Sequence, residues 1–506
     1  MADTKREIER KYEATPDTPM PDLTKVPGVA DVVGKGVAEL DAVYYDTADL
    51  RLAAASVTLR RRTGGADAGW HLKLPVSPGV RDEITAPLSD GIPAGLAALV
   101  RVHARGEELV PVVRLLSSRD VHHLVDADGA LLAELSRDAV VAERLHGGNG
   151  TAQWDEIEVE LADGGDPAFL DAVDKRLRKA EVRAAAASSK LARALTETGT
   201  GPARPSPEPS AARTAGDQVL AYVREQAAAI VAYDPGVRRD LPDAVHRMRV
   251  ATRRLRSTLR THRKVLDRHA TQPVIDELKW LAAELGVARD QEVLAERLHS
   301  RVDAVPVTLL LGPVAARLRQ WSVAGAAEAR RTAVAALDGD RYLALLDALD
   351  GLLADPPLLK AAEHAPEDVL AKAVLKEYDR LAARMAHALS LPAGEERDLA
   401  MHDARKAAKR ARYAAEVARP ALGKPAKRFG KRMKAVQQVL GDHQDSVVAR
   451  QALRDLAVQA HAAGESAFVW GLLYGREEAR AGTRETELPR VWAEASAPGI
   501  RAALGG

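Results

Sequence analysis

Basic side chains recur at helical spacing in residues 243–264. Positions three and four apart lie on one face of an α-helix, and five basic residues of this segment fall within an arc of about 80°. They are His246, Arg249, Arg253, Arg256 and Arg260. The segment holds eight lysines and arginines against one acid, so carboxylates that would pair with these charges are scarce. The stripe indicates a polyanion site whose binding weakens with salt, and the alternative is an ordinary solvated helix face.

The same pattern occurs a second time, 156 positions further along the chain. The second stripe consists of His402, Arg405, Lys409 and Arg412. Behind each stripe lies a matching segment, 278–293 in one case and 433–448 in the other. These segments share a glycine and an aspartate at an offset of 155: Gly286 and Asp290, then Gly441 and Asp445. Matches at nearly one offset indicate a duplicated helical unit, and we expect these glycines and aspartates to end or cap helices.

A second pattern, in the N-terminal part, alternates charged and apolar residues. Residues 5–13 place Glu7, Glu9 and Lys11 on one face of a strand, although as a helix Glu7 and Lys11 would form an ordinary pair. Alternation continues at Arg60 and Arg62 and at His71 and Lys73. It occurs again at Glu156, Glu158 and Glu160. Glycine-rich turns separate these segments, which predicts an antiparallel barrel or sandwich.

Closing such strands into a barrel with its apolar faces outward would line the interior with acids and bases. Buried charges of both signs suit an anionic ligand that arrives with hard divalent cations. Phosphate chains with Mg²⁺ or Mn²⁺ meet that description, because these ions take oxygen ligands and usually enter bound to phosphates. The pattern alone also fits a sheet whose polar face forms surface ion pairs.

Composition limits the remaining classes of protein. A chain of 506 residues exceeds what one core usually supports, so two or three domains are expected. The absence of cysteine excludes disulfides and thiolate chemistry. Net charge is +1 and aromatic residues make up 4%, so a basic nucleic-acid coat or a base-stacking surface is not indicated. The polar start and the lack of long apolar runs predict a cytoplasmic protein.

The N-terminal segments resemble the CYTH, or triphosphate tunnel metalloenzyme, family. The resemblance covers residues 1–196 and rests on motifs in the family's order. They are EIERK from Glu7, YYDTADLRL from Tyr44, LRRR from Leu59, WHLKLP from Trp70, PVVRLLSSR from Pro111, AELSRD from Ala133, EIEVEL from Glu156 and SSKLARAL from Ser188. An eight-stranded antiparallel β-barrel tunnel of the α+β class is thereby implied, which binds a triphosphate with Mg or Mn.

The resemblance also implies roles for individual residues. Metal ligands would be Glu7, Glu9, Glu156, Glu158 and Glu160, with Glu134 as a weaker candidate. The catalytic group would be Glu7, Glu9, Lys11, Lys73 and Arg119. Substrate oxygens would be held by Arg60, Arg62, Arg114 and Lys190.

Residues 197–216 are rich in Pro, Ser, Gly and Ala and are expected to form a linker. The rest of the chain, 217–506, resembles the CHAD family, an all-α domain rich in histidines and basic residues, here with two repeats at about 217–355 and 365–500. The resemblance implies binding of inorganic polyphosphate along a basic channel by the nine residues of the two stripes.

Together these features predict a metal-dependent triphosphatase acting on short inorganic polyphosphate or another triphosphate-containing small molecule, tethered to a polyphosphate-binding module. The alternatives are a non-catalytic polyphosphate-binding or targeting protein and an adenylate cyclase. No membrane partner is expected, and nucleic acid is a weaker candidate partner. Association with polyphosphate granules is left open.

Overall fold

The computed structural model describes residues 3–199 and 213–505 of the chain. The chain divides into two compact units, with the division placed after residue 208. Most of the expected linker, residues 200–212, lies outside the described residues. The last helix before this segment ends at Glu197, and the next helix begins at Ala215.

Eight antiparallel strands of the first unit close into a barrel in the order β1-β5-β4-β3-β2-β6-β7-β8. The strands are β1 (Asp3–Ala14), β2 (Asp31–Asp46), β3 (Thr58–Thr63), β4 (Gly69–Ser77), β5 (Val80–Ala86), β6 (Val110–Val125), β7 (Leu131–Arg144) and β8 (Thr151–Leu161). The barrel prediction is confirmed, and residues 5–13 form a strand rather than a helix. Alternation along β1 therefore sends Glu7, Glu9 and Lys11 to one face.

The apolar core of this unit lies outside the barrel wall, where short helices cover the strands. The helices are α1 (Arg51–Ala54), α2 (Ala94–Ala104), α3 (Ala168–Lys179) and α4 (Lys190–Glu197). Buried Tyr12 and Val159 pack with Leu177 of α3, and Leu59 packs with Val100 of α2. Burial of apolar side chains on the outer faces leaves the charged faces of the same strands to form the interior.

The second unit is helical throughout its regular structure. Its helices are α5 (Ala215–Arg238), α6 (Ala244–Thr261), α7 (Arg268–Asp303), α8 (Val314–Asp338), α9 (Asp340–Ala354), α10 (Pro366–Ser390), α11 (Glu395–Ala462), α12 (Phe468–Ala495) and α13 (Pro498–Ala502). Helix α11 breaks at Gly423, where φ is 58° and ψ is −126°, between Pro420 and Pro425. The break divides α11 into two helices, as the loop between α6 and α7 divides the first copy.

Packing in the helical unit follows the duplication. Helices α5 to α8 contact one another in chain order, and α10, α11 and α12 repeat that arrangement. The side of α6 opposite its basic stripe is buried through Met248, Leu255 and Leu259. On α11 the corresponding buried face is made of alanines, among them Ala404 and Ala411. Among the described residues, no helix combines the length and the apolar character needed to cross a bilayer.

Candidate functional site

The inward faces of the barrel strands enclose a cavity of about 410 Å³. Basic residues of its lining are Lys5, Lys11, Arg60, Arg62, Lys73, Arg81, Arg119 and Lys190. Acidic residues of its lining are Glu7, Glu9, Asp67, Glu83, Glu134, Glu158, Glu160 and Asp163. Buried charges are costly unless they are paired. A cavity lined by eight acids and eight bases therefore suits a ligand that brings both negative and positive charge.

Strands β1 and β8 form one side of this cavity. Their register places Lys11 opposite Glu158 and Glu9 opposite Glu160. The Lys11 ammonium contacts the Glu158 carboxylate and donates a hydrogen bond of 3.0 Å to Glu9 Oε2. Burial disfavours the charge of Glu9, but the neighbouring Lys11 and Lys73 hold its pKa below the ordinary value. Glu9 is therefore an ionised carboxylate at neutral pH.

Helix α4 brings another cation into the barrel. Ser189 is the N-cap of α4, and its hydroxyl accepts a 3.0 Å hydrogen bond from the backbone N–H of Ala192. The next residue, Lys190, has only 8% of its side chain exposed. Its Nζ lies 2.6 Å from Glu156 Oε1 and 2.7 Å from Glu158 Oε1. The end of α4 therefore anchors a cation against the glutamates of β8.

Asp138 completes this group from β7. Its carboxylate is fully buried, accepts hydrogen bonds of 2.7 and 2.8 Å from Arg119 and lies 2.9 Å from Lys190 Nζ. Burial disfavours the charge of Lys190, yet Glu158, Asp138 and Glu156 raise its pKa above the ordinary value. Oxygens of these three acids lie within 4.8 Å of one another. Three cations, Lys11, Arg119 and Lys190, already neutralise this buried acidic group.

On the other side of β1, the cavity wall continues through β5 and β4. Lys73 Nζ lies 2.6 Å from Glu7 Oε2 and 3.7 Å from Glu83 Oε1. Burial and the nearby Glu83 carboxylate raise the pKa of Glu7 to about 7, although Lys73 opposes the shift. Glu83 also contacts His71 Nδ1 at 2.9 Å. Two carboxylates thus compete for one ammonium group, so the charged form of Glu7 is only partly compensated.

In the helical unit the two basic stripes lie close to each other, because α6 packs against α11. Burial and the guanidinium groups of Arg253, Arg405 and Arg249 lower the pKa of Lys409 to about 6. Burial and like charges from both stripes, Arg249 on α6 and Arg405 on α11, also lower the pKa of Arg253. Cations of the two copies therefore form one surface, and they repel one another across it.

The glycines and aspartates behind the stripes lie inside helices, so the expectation that they end or cap helices is wrong. Gly286 lies in α7 against the Arg249 guanidinium, and Gly441 lies in α11 against that of Arg405. Asp290 Oδ1 accepts a 2.8 Å hydrogen bond from Arg249 Nη1. Asp445 Oδ1 lies 3.6 Å from Arg405 Nη2.

Comparison with known proteins identifies both units. Residues 5–195 match the CYTH domain, and residues 221–454 match the CHAD domain. Proteins of Mycobacterium tuberculosis strains CDC 1551 and H37Rv, both described as uncharacterized, are 40% identical over 487 residues, which cover 93% of this chain and 92% of each relative. The chain is a CYTH–CHAD protein. The first unit is called the CYTH unit below, and the second the CHAD unit.

Two solved structures are also similar to parts of the chain. PptA from Streptomyces chartreusis is 23% identical with a TM-score of 0.47, over 55% of this chain and 99% of that one. The CHAD domain from the plant Ricinus communis is 24% identical with a TM-score of 0.41, over 61% of this chain and 98% of that one.

Most site residues expected from the sequence of the CYTH unit line the cavity. They are Glu7, Glu9, Lys11, Arg60, Arg62, Lys73, Arg119, Glu134, Glu158, Glu160 and Lys190. Glu156 lies behind the lining, where it accepts a 2.7 Å hydrogen bond from Trp154 Nε1 and contacts Lys190. Arg114 is not brought to the cavity, contrary to expectation. Its guanidinium is 44% exposed and pairs with Asp41 at 2.6 Å.

Other residues of the cavity were missed from the sequence, above all Glu83, His71 and Tyr44. Tyr44 accepts a 3.2 Å hydrogen bond from Arg60. Burial raises the pKa of Tyr44, but the Arg60 guanidinium opposes this shift, and the pKa lies below its ordinary value. The segment VRDEIT from Val80 alternates as a strand does, and this alternation places Arg81 and Glu83 on one face of β5. Asp138 carried a similar signal, because it ends the AELSRD segment and alternation places it on the same face of β7 as Glu134, but its contacts with Arg119 and Lys190 could not be read from the sequence.

The CYTH unit fits the divalent cations that its family implies. Glu7, Glu9, Glu158 and Glu160 present carboxylate oxygens to the cavity, and such hard oxygens are the ligands that Mg²⁺ and Mn²⁺ prefer. The raised pKa of Glu7 marks a carboxylate that the local ammonium group does not fully neutralise. A divalent cation bound at these oxygens would stabilise the charged form of Glu7.

The residues of the CHAD unit that are predicted to bind polyphosphate form a central group with further residues around it. The centre comprises Arg249, Arg253, Arg405, Lys409 and Arg412. Towards one end, Arg256 and Arg260 line a cavity of about 360 Å³. Arg260 and His402 line a larger cavity of about 1160 Å³. His246 is near Arg289, which together with burial lowers the pKa of this histidine.

A separate polar group of the CHAD unit contains Asp398, His443 and Glu485. The buried His443 Nε2 lies 3.3 Å from Asp398 Oδ1 and 3.2 Å from Glu485 Oε1. Arg450 pairs with Asp398 at 3.1 Å, and Arg397 pairs with Glu485 at 3.2 Å. Each carboxylate already has an arginine partner, so the group is accounted for as a buried ion-pair network.

Proposed function

We propose that the CYTH unit is a Mg²⁺- or Mn²⁺-dependent hydrolase of triphosphates or short inorganic polyphosphate, and that the CHAD unit binds inorganic polyphosphate. The observation that carries the proposal is the closed barrel whose cavity mixes glutamates with lysines and arginines. A phosphate chain would pair with the lysines and arginines, and the divalent cations that accompany it would pair with the glutamates.

The residues divide the chemistry between them. Arg60, Lys73 and Arg119 would bind phosphate oxygens and hold the chain for in-line attack, since positioning and charge neutralisation supply most of the acceleration in phosphoryl transfer. Glu7, Glu9, Glu158 and Glu160 would hold the metal. When bound, a divalent cation neutralises charge on phosphate oxygens and lowers the pKa of a bound water. Lys11, already in contact with Glu158, would add a further contact to phosphate.

For the CHAD unit, the proposal rests on the facing stripes. The like charges of Arg253, Arg405 and Lys409 have no comparable number of carboxylates among them, and a polyanion would relieve their repulsion. Tyr413 lies beside this surface, but Arg412 and Arg254 cover its ring at 4.8 and 6.0 Å. Because this buried ring is not free to stack on bases, phosphate chains are favoured over nucleic acid.

Two other functions predict different products, one from tripolyphosphate and the other from ATP. A non-catalytic polyphosphate binder is the main alternative, although anion binding alone does not need the glutamates of the cavity. An adenylate cyclase would convert ATP into pyrophosphate and a cyclic nucleotide, whereas a hydrolase would release orthophosphate from it.

The deciding experiment measures orthophosphate release from inorganic tripolyphosphate by the full-length protein with Mg²⁺ or Mn²⁺. We expect metal-dependent release that falls by at least about 100-fold in Glu9→Ala, because removal of one stabilising group commonly costs that much in kcat. The matched control is Glu143→Ala, which removes an exposed glutamate of β7 and is expected to leave the rate unchanged. No release by the wild-type protein, with intact polyphosphate binding, would favour the binder.

A further inference from the structure

The same three-residue arrangement is built twice in the CHAD unit. In each copy an arginine of the stripe lies over a helical glycine and pairs with an aspartate one turn further along the glycine's helix. The first copy uses Arg249, Gly286 and Asp290, and the second uses Arg405, Gly441 and Asp445.

The glycines leave room for the guanidinium groups. A Cβ built on Gly286 would lie 3.4 Å from Arg249 Nη2, 3.6 Å from Cζ and 3.7 Å from Nε. At Gly441 the corresponding distances to Arg405 are 3.4 Å to both Nη2 and Nε and 3.8 Å to Cζ. A methyl group would therefore touch the guanidinium at van der Waals distance, and a larger side chain would overlap it. Both glycines are buried inside helices, where glycine is unfavourable for the helix itself.

Asp290 orients Arg249 through two hydrogen bonds, whereas Asp445 forms a looser ion pair with Arg405 at 3.6 Å. Arg249 donates through Nη1 at 2.8 Å and Nη2 at 3.3 Å to the two oxygens of Asp290. Within the described residues, Nε of Arg249 and Nε of Arg405 are buried and have no hydrogen-bond partner. Each guanidinium is thus held from the side of the glycine's helix, and the Arg249 and Arg405 side chains remain 19% and 23% exposed, which leaves part of each accessible to a ligand.

We propose that Gly286 with Asp290, and Gly441 with Asp445, are positioning residues that hold Arg249 and Arg405 for contact with a phosphate chain. The proposal rests on polyphosphate binding by the CHAD unit. It goes further in assigning a role to four residues outside the stripes. The competing explanation is that both pairs are ordinary ion pairs that only stabilise the packing of helices.

The test measures the affinity of the full-length protein for long-chain sodium polyphosphate over a range of salt, together with thermal unfolding. Gly286→Leu is expected to weaken binding about tenfold, because one charge-assisted contact is lost. The slope of log affinity against log salt should become shallower by about one. Gly286→Ala should stay within about twofold of wild type, since its methyl only touches the guanidinium. The control is Gly475→Leu, at an exposed helical glycine with open space around it, and should bind like wild type.

A double-mutant cycle separates positioning from general damage. In an Arg249→Ala background, Gly286→Leu should cause no further loss of affinity, because the group that it displaces is already absent. An equal loss in both backgrounds would overturn the proposal. Wild-type protein that fails to bind polyphosphate would instead overturn the proposed function itself.

The aspartate is tested without a change of side-chain volume. Asp290→Asn is expected to weaken binding about threefold to fivefold, the range of an exposed ion pair, because the guanidinium is no longer fixed. Tighter binding by Asp290→Asn would show that the carboxylate merely competes with phosphate, and would overturn its positioning role. This variant also serves if Gly286→Leu does not fold, and Asp445→Asn repeats the test in the second copy.

Discussion

Glu7 shows how a single residue of the cavity would link the proposed metal binding to pH. Burial and the Glu83 carboxylate raise its pKa to about 7, against an ordinary value of 4.5. The folded protein therefore holds a proton that the unfolded chain releases, so this residue's contribution to stability is lost as pH rises from about 4.5 to about 7. A cation bound at Glu7 would displace that proton.

From this we predict that Mn²⁺ stabilises the protein more at pH 8 than at pH 6. The measurement is the Mn²⁺-dependent rise in melting temperature at the two pH values. In Glu7→Gln the pH dependence should be largely lost, because no carboxyl proton is left to compete with the metal. An equal Mn²⁺ effect at both pH values in the wild-type protein would contradict the assigned role of Glu7.

At the scale of elements, the sequence was informative wherever charge alternates along a strand. Strands β1, β3, β4 and β8 were predicted from such alternation, and their inward residues line the cavity. Strand β5 was missed, although the same pattern places Glu83 opposite Lys73. The outward position of Arg114 follows from the same alternation, because Arg114 lies five positions before Arg119 on β6 and residues an odd number apart lie on opposite faces of a strand.

Helices α6 and α11 show what a repeat can and cannot predict. Their buried faces follow from helical periodicity, which identifies Met248 and Ala404 as core residues. Matching residues in the two copies, at offsets of 156 and 155, also indicate the duplication. The offset does not reveal that the two stripes lie close to each other, or that Gly286 and Gly441 support arginines instead of ending helices. Those facts depend on tertiary packing between α6, α7 and α11.

The proximity of these two helices predicts a proton linked to binding. Burial and the arginines of both stripes lower the pKa of Lys409 to about 6, so this amine is mostly neutral at pH 7.5 in the free protein. A phosphate chain would restore its charge, and binding should then take up a proton. Calorimetry of polyphosphate binding at pH 7.5, in buffers with different enthalpies of ionisation, measures that uptake.

Lys409→Met is the matched variant for this measurement. It keeps a side chain of similar length, and the proton uptake should be lost with it. Between pH 10.5 and about 6 the unfolded chain protonates this lysine while the folded protein keeps it neutral, so stability is lost as pH falls through that range, and the Met variant should be more stable than wild type at pH 6. Unchanged proton uptake in Lys409→Met would place the linked proton on another group.

For the whole molecule, the central question is whether the proposed polyanion surface and the proposed phosphate site of the barrel act together in one chain. A binding unit on a tether raises the effective concentration of its ligand near a second unit, provided that the ligand is long enough to engage both. On the proposed function, short chains should reach the barrel cavity without help from the CHAD unit. The two units should therefore differ in their effects on short and long substrates.

We predict that Arg253→Ala with Lys409→Ala raises the KM for long-chain polyphosphate while leaving turnover of tripolyphosphate within about twofold of wild type. Loss of two cationic contacts at the centre of the surface should weaken long-chain binding by at least about tenfold. Arg224→Ala, at an exposed arginine of α5, is the control and should change neither substrate. Glu9→Ala should give the converse result, with turnover of both substrates lost and long-chain affinity kept. Equal loss on both substrates in the CHAD variant would show that the stripes support the fold of the protein rather than the capture of long chains.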